Sequence, residues 1–488
     1  MNRILSHLKP EKLWSYFEDI CQVPRPSKKE EKIRKFLLDF AKQHKLEAKR
    51  DEIGNVIIKK PATPGMEDRI PVVLQSHMDM VCEKNSDKEF DFDKDAIVPV
   101  IDGDWVTADG TTLGADDGIG MAAQMAILTA DDIQHGPVEC LVTVDEETGL
   151  TGAFALQPGF IEGRTLINLD SEDEGELFIG CAGGIDTVAS FKYKSAKVPR
   201  DMVAFKVSVS GLKGGHSGDD INKGFGNSIK ILNRFLWKIE DLFHIRISEF
   251  TGGNLRNAIP REAEALFVVR GKWAKLVKDQ FEAYHKEVKE ELAITGPDLA
   301  MEMELVELPE RVMAKSLQRR FLNAVYACPH GVIAMSHKMP GMVETSTNLA
   351  SIKMIEGDNI EICTSQRSDS ATAKLDIAYM VESVFNLARF NVRHSDGYPG
   401  WSPNPDSEIL RVSKKAYEDL FKVSPVVRSI HAGLECGLFL EKYPDMDMIS
   451  FGPTLRRVHS PDEKINIETV QKFWDHLLEV LKNVPVAE

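Results

Sequence analysis

The chain has 488 residues, with 60 Lys and Arg against 76 Asp and Glu, a formal net charge of −16. Nucleic-acid binders need a basic face, so this balance argues against one. A hydrophobic share of 43% and a charged share of 28% exclude a disordered chain and fit a globular protein with a large core. At roughly 150 residues per domain the length predicts two or three domains. No apolar run approaches the ~20 residues of a membrane span. His7, Lys9 and Pro10 interrupt the amino-terminal segment that a secretory signal would need. Seven cysteines without a C-x-x-C pair make neither a disulfide framework nor a Cys-based zinc site, so a reducing, cytoplasmic setting is expected.

In chain order, residues 1–185 predict alternating helices and strands. Residues 29–45 space Ile33, Phe36, Leu37 and Phe40 as one helical face. A turn at 51–55 precedes a strand from Val56, and a buried-type strand covers 72–76. The small apolar run 118–130 predicts a helix packed closely on a sheet, and strands at 138–144 and 165–169 follow. That succession predicts an α/β layered domain. From about 186 the texture changes. Strands at 203–209, 262–270, 343–355 and 358–367, with helices at 221–239, 273–293 and 372–389, predict α+β. The end of the chain returns to the first texture: a helix at 405–421, a turn-rich piece at 431–437, a strand at 446–451 and a helix at 467–482. The expected division is one α/β domain built from 1–185 and 398–488, with an α+β domain, 186–397, inserted.

Chemistry gathers at strand ends. Ser76-His77-Met78-Asp79 follows an apolar strand, and open α/β sheets hold ligands at such carboxyl ends. Two apart in extended chain, His77 and Asp79 would point to the same side; alone they read equally as a satisfied histidine beside a carboxylate. Asp116 and Asp117, framed by Gly114, Gly118 and Gly120, repel each other and lose hydration if buried, which a cation would relieve. A helix start decorated with acids is the other reading. Asp145, Glu146 and Glu147 also end an apolar strand, a run that reads alone as a solvated acidic loop, and Asp170 begins another run of acids at a strand end. His459 follows the strand MISFG.

Together these ends bring His, Asp, Glu and Asp into one domain, with a second His from late in the chain. Imidazole and carboxylate without thiolate suit zinc, manganese or cobalt. More acids than one divalent ion needs predict two ions sharing a carboxylate, about 3.5–4 Å apart. One acid outside the metal shell would serve as general base.

The motifs, in this order, resemble the M20 family of dinuclear metallopeptidases. The resemblance runs through VPRPSKKEEKI, DEIGNVIIKKPATPGME, VVLQSHMDMV, GTTLGADDGIGMA, EETGLTGAF, LINLDSEDEGE, GCAGGID, GLKGGHSG, LRNAIPREA, HAGLECGLF and SPDE, and so along essentially the whole chain. It implies a zinc-peptidase-like α/β catalytic domain and an inserted lid and dimerisation domain. The implied activity is hydrolysis of dipeptides with a free C-terminus, Xaa-His dipeptides preferred, by a metal-bridged water that Glu146 activates. Two divalent ions are implied, Zn2+ first and Co2+ or Mn2+ as alternatives. His77 and Asp170 resemble ligands of one ion, Glu147 and His459 those of the other, and Asp116 the bridge, with a cis peptide bond after it. Asp79 resembles the carboxylate that orients His77. In the lid, His216 resembles an oxyanion donor, Asn257 a substrate-binding residue and Arg367 the clamp on the substrate carboxylate. His431 and Glu435 have no assigned role. A homodimer is expected, and the enlarged lid also allows a monomer. An N-acyl amino-acid deacylase, a tripeptidase or a metal-binding protein without catalysis are the competing readings, the last expected to lack a ligand or the base.

Overall fold

The computed structural model describes residues 3–355 and 359–487. Residue 358, the first of one expected strand, lies outside them. The chain divides into two units, one of residues 1–181, 401–429 and 434–488, the other of 182–400 and 430–433. The short piece 430–433, which the sequence reading groups with the chain end, belongs to the second unit, where Ala182 donates its amide to the Ile430 carbonyl.

The first unit is built on an eight-stranded sheet. Its order is Glu47–Arg50, Val56–Lys60, Val138–Thr143, Val72–His77, Thr165–Asn168, Asp447–Ser450, Glu176–Cys181 and Val426–Ile430. Val72–His77 runs parallel to both neighbours, and Asp447–Ser450 parallel to Thr165–Asn168. Each of Val72–His77, Val138–Thr143 and Thr165–Asn168 is buried throughout, which is why they read as continuous apolar runs. Their carboxyl ends therefore face one way. The helix Ala115–Leu128 covers this sheet; Ala122, Ala123 and Ala126 permit close approach, and Gln124 donates to the carbonyls of Leu74 and Leu141. A small antiparallel sheet, ordered Leu455–Arg456, Lys464–Asn466, Trp105–Ala108 and Pro99–Asp102, joins the late chain to the early chain.

The second unit has a nine-stranded antiparallel sheet, with Ala300–Val306, Met202–Ser210, Ala263–Arg270, Arg246–Gly252, Val343–Ile355, Asn359–Ser368, Gly183–Lys192 and Asn391–His394 in order, and Gly331–Met335 added to Val343–Ile355. Phe205, Phe235, Phe250, Phe267, Tyr284, Phe321 and Phe385 fill its core. The helix expected over 221–239 spans Ser228–Phe243 instead. Asn227 sets the start by accepting hydrogen bonds from Ile229 and Lys230, while Gly224, with φ of 70°, keeps the preceding residues in turns. Among the described residues no helix is long and apolar enough to cross a membrane.

One buried histidine makes stability depend on pH. Burial pushes His476 from 6.5 down to about 4, and its Nε2–H donates to the Ser413 carbonyl at 2.8 Å. A histidine held neutral contributes stability that is present above pH 6.5 and lost as pH falls toward 4. By pH 5 the loss is about 2 kcal/mol. Thermal melts at pH 7 and pH 5 should show a smaller fall for His476→Gln than for the parent; equal falls would contradict this account.

Candidate metal centre

Five segments of the first unit deliver the donors. Val72–His77 ends in His77 itself. Val138–Thr143 leads to Glu146 and Glu147 at the start of the short helix Glu146–Gly149, and Thr165–Asn168 leads to Asp170. Asp116 stands at the start of Ala115–Leu128, where it and Asp117 leave helical geometry. The peptide bond between them is cis, as the resemblance implies. Asp117 accepts from the Gly120 amide at 3.0 Å, and a Cβ on Gly120 would fall 2.3 Å from that oxygen, so the glycine is required. His459 comes from the loop between Leu455–Arg456 and Lys464–Asn466.

Both oxygens of Asp116 face an imidazole. Oδ1 lies 3.1 Å from His77 Nε2, and Oδ2 lies 3.1 Å from His459 Nε2. Asp170 Oδ1 is 3.5 Å from His77 Nε2, and Glu147 Oε2 is 3.0 Å from His459 Nε2. Two donor sets follow, His77–Asp116–Asp170 and Asp116–Glu147–His459, each with its donor atoms within 4.8 Å of one another. They share Asp116. Glu146 groups with His77 and Glu147 within the same distance. Asp79 holds the first shell from behind: its Oδ1 is 3.4 Å from His77 Nδ1, and its carboxylate accepts the amides of Glu146 at 3.0 Å and Glu147 at 3.2 Å.

A further acidic group, Glu30, Asp79 and Asp145, is buried nearby. Its carboxylates already accept from the amides of Lys28, Asp145, Glu146 and Glu147 and from the hydroxyls of Ser27, Thr148 and Thr151. It serves as scaffold.

The electrostatics describe donors in want of cations. Burial opposes ionisation of Asp116, yet the two imidazoles overcome it and hold the carboxyl well below the usual range. Burial pushes Asp170 up to about 7 against the pull of His77. It also pushes Glu146 well above the ordinary value, with His77 opposing and Asp170, Glu435 and Glu147 reinforcing. His459 is raised to about 11 by its hydrogen bonds to Asp116 and Glu147. Glu147 Oε1 is buried with no hydrogen-bond partner, an orphan of the kind a metal bond would satisfy. These residues fit two divalent ions bridged by Asp116.

In the second unit, Arg367 Nη2 lies 3.5 Å from His216 Nε2, and Nη1 donates to the Tyr398 hydroxyl at 3.2 Å. Arg367 is buried, and its Nε has no hydrogen-bond partner. Asp219 Oδ2 is 3.3 Å from His216 Nδ1. Asn257 joins this group through its backbone, its carbonyl accepting from the Ser217 amide at 2.8 Å; its side chain is exposed. His431 Nε2 meets the Ser346 hydroxyl at 2.7 Å. Glu435, in the first unit, is buried beside Gln75 and Thr143, both of which donate to it, and burial pushes its carboxyl up to about 8.

Sequence reasoning gave no role to Arg25 or Glu463, both of which contact the donor loops. Glu463 lies within the SPDE segment and Arg25 within VPRPS, and that is all the signal the chain offers. Their burial arises from long-range packing and leaves no local pattern.

A layered α/β unit whose parallel strand ends gather imidazoles and carboxylates into cation-binding sets defines a class, the α/β metallohydrolases. Residues 73–483 match the peptidase family M20/M25/M40, and the chain belongs to that family. It is 44% identical over 481 residues, 99% of each sequence, to a cytosol non-specific dipeptidase of Escherichia coli. It matches the crystal structure of an aminoacylhistidine dipeptidase from Vibrio alginolyticus with a TM-score of 0.92 at 45% identity, over 100% of this chain and 99% of that one. A tripeptidase from Staphylococcus aureus shares the fold, with a TM-score of 0.56 at 16% identity over 98% and 99% of the two chains.

Removing the shared donor should cost more than removing a terminal one. Calorimetric titration of chelator-treated protein should give about two divalent ions per chain. Asp170→Asn should weaken one of them about 10- to 100-fold, while Asp116→Asn should weaken both. Two ions held equally by the parent and Asp116→Asn would remove the bridge.

Proposed function

We propose that the protein hydrolyses dipeptides with a free C-terminus, Xaa-His dipeptides being preferred. Two observations support this reading: full-length likeness to two proteins named as dipeptidases, and donor sets that share Asp116 beside Glu146. The geometric observation that carries it is that each Asp116 oxygen faces a different histidine. We propose two divalent ions, Zn2+ first and Co2+ or Mn2+ as alternatives, held by His77, Asp170, Glu147, His459 and the bridging Asp116. Bound there, they supply acidification of a water and polarisation of the scissile carbonyl.

The protein's own groups do the rest. Glu146 takes a proton from the attacking water and returns it to the leaving amine, a task suited to a carboxyl that burial raises. Asp79 fixes the ring of His77 and, through two amides, the positions of Glu146 and Glu147. In the second unit, Arg367 takes the substrate carboxylate with its two-pronged guanidinium, which Tyr398 steadies. His216 donates to the developing oxyanion, and Asn257 binds the substrate backbone. The second unit acts as lid and dimer contact, and the protein works in the cytoplasm as a homodimer; light scattering separates that assembly from a monomer.

A substrate panel tests the activity. Xaa-His dipeptides should be hydrolysed best, other dipeptides more slowly, and dipeptide amides, tripeptides and acetyl-amino acids little, with chelator abolishing turnover. Inert dipeptides in zinc-supplemented protein would overturn the reading. Glu146→Gln should lower kcat by about 10²–10⁴-fold with both ions retained. Arg367→Lys should raise KM for dipeptides at least about tenfold, with a smaller change in kcat. Turnover unaltered in the first variant, or KM unaltered in the second, would reject the role concerned.

A further inference from the structure

We propose that Glu463 and Arg25 are positioning residues that fix the bridging carboxylate of Asp116 through the backbone leading into it, Glu463 tying that stretch to the His459 loop and Arg25 tying it to the residues after His77. The inference rests on the dinuclear reading of the site and adds to it the groups that fix its spacing.

Glu463 is 2% exposed and spends its charge on backbone amides. Its Oε2 accepts from Leu113 at 2.8 Å and Gly114 at 3.0 Å; its Oε1 accepts from Ala115 at 2.8 Å and lies 3.5 Å from the Asp116 amide. One carboxylate thus gathers the amides leading into the bridging residue, at a helix start where negative charge is favoured. Glu463 is itself anchored. Its amide donates to the Ser460 carbonyl at 3.0 Å, one residue beyond His459, and its carbonyl accepts from the Thr107 hydroxyl at 2.8 Å. The loop that presents His459 is therefore tied directly to the loop that presents Asp116.

Arg25 makes the matching tie on the other side. It is also 2% exposed, and Nη1 donates to the carbonyls of Asp79 at 2.7 Å and Met78 at 3.2 Å, the residues immediately after His77. Nη2 donates to the Gly114 carbonyl, in the stretch whose amides Glu463 holds. The glycines of this stretch follow from the guanidinium. A Cβ on Gly114 would lie 2.5 Å from Arg25 Nη2, and one on Gly118 2.7 Å from it, while Gly114 also adopts φ of 70°.

Among the described residues neither group forms an ion pair. Burying an unpaired charge is costly, so a pair of such charges spent wholly on the backbone of donor loops points to geometry as their use. Asp116 must present one oxygen to His77 and the other to His459. The stretch leading into it is held through its amides by Glu463 of the His459 loop and through the Gly114 carbonyl by Arg25, which also bonds the residues after His77, so a shift in either loop moves the bridge with it.

Glu463→Gln tests the proposal, because the amide keeps the shape but leaves one acceptor oxygen for amides that had two. Metal titration should show affinity lowered about 10- to 100-fold. The cobalt-loaded protein should lose magnetic coupling between its ions, and kcat for a dipeptide should fall about tenfold or more with KM within about twofold. Arg25→Lys keeps the charge but cannot span three carbonyls, and should move the same readouts in the same direction. It is the variant to read if Glu463→Gln melts below the assay temperature. A folded variant with two ions bound as tightly as in the parent and an unchanged cobalt spectrum would overturn the proposal, whatever its melting temperature. A parent that binds no ions would instead overturn the dinuclear reading itself.

Discussion

Like charge crowded into a dry space is the constraint that organises the first unit. Asp116, Glu146, Glu147 and Asp170 meet around two imidazoles. Two ionised carboxylates about 4 Å apart at an effective dielectric near 20 repel by about 4 kcal/mol. Two histidines cannot neutralise four carboxylates, so some acids must take up protons or cations must enter. Asp170 and Glu146 record the first outcome in their raised values, and the orphaned oxygen of Glu147 marks room for the second. The same repulsion would drive these segments apart if nothing rigid held them.

The rigid frame is the parallel part of the eight-stranded sheet. Strands buried on both faces cannot slip register without exposing apolar side chains or stranding backbone polar groups, so their ends are fixed points. His77, the 145–147 turn and Asp170 ride on three adjacent fixed points. Asp79 then locks the first two together by accepting the amides of Glu146 and Glu147. What remains free is the placement of Asp116 and His459, which come from outside the parallel strands. Glu463 ties those two segments to each other, and Arg25 ties the stretch before Asp116 to the residues after His77.

Much of this was legible in the amino-acid order, for a physical reason. A strand buried on both faces is mostly apolar, and where Val72–Leu74 or Cys140–Val142 gives way to His, Asp or Glu the change of composition marks the exit from the core, although buried Glu139 shows that the rule is not strict. The donor residues were legible for that reason, and the α/β class with them. Their mutual geometry was not, since Asp116 faces His77 from 39 positions away and His459 from 343. Short, half-exposed strands such as Pro99–Asp102 and Leu455–Arg456 carry too few residues to show a period. The helix Lys315–Ala327 does carry one, burying Leu317, Phe321, Leu322 and Val325, and went unread amid its charged neighbours. Asn227 shows how a single capping side chain outweighs a periodic pattern: apolar residues continue upstream to Ile221, yet the helix waits for its cap.

The order in which these pieces leave the ribosome follows from the division of the chain. The second unit is nearly continuous, so its antiparallel sheet has all nine strands once residue 400 has been synthesised. The first unit has no such privilege. Its strand Asp447–Ser450, the small sheet that includes Lys464–Asn466, and His459 itself are translated last, while Asp116 and Glu147 have been waiting since the early part of synthesis. Until then the nascent chain holds a cluster of acids with neither its second imidazole nor Glu463. The cluster of acids and imidazoles is therefore complete only once the late segments have been made.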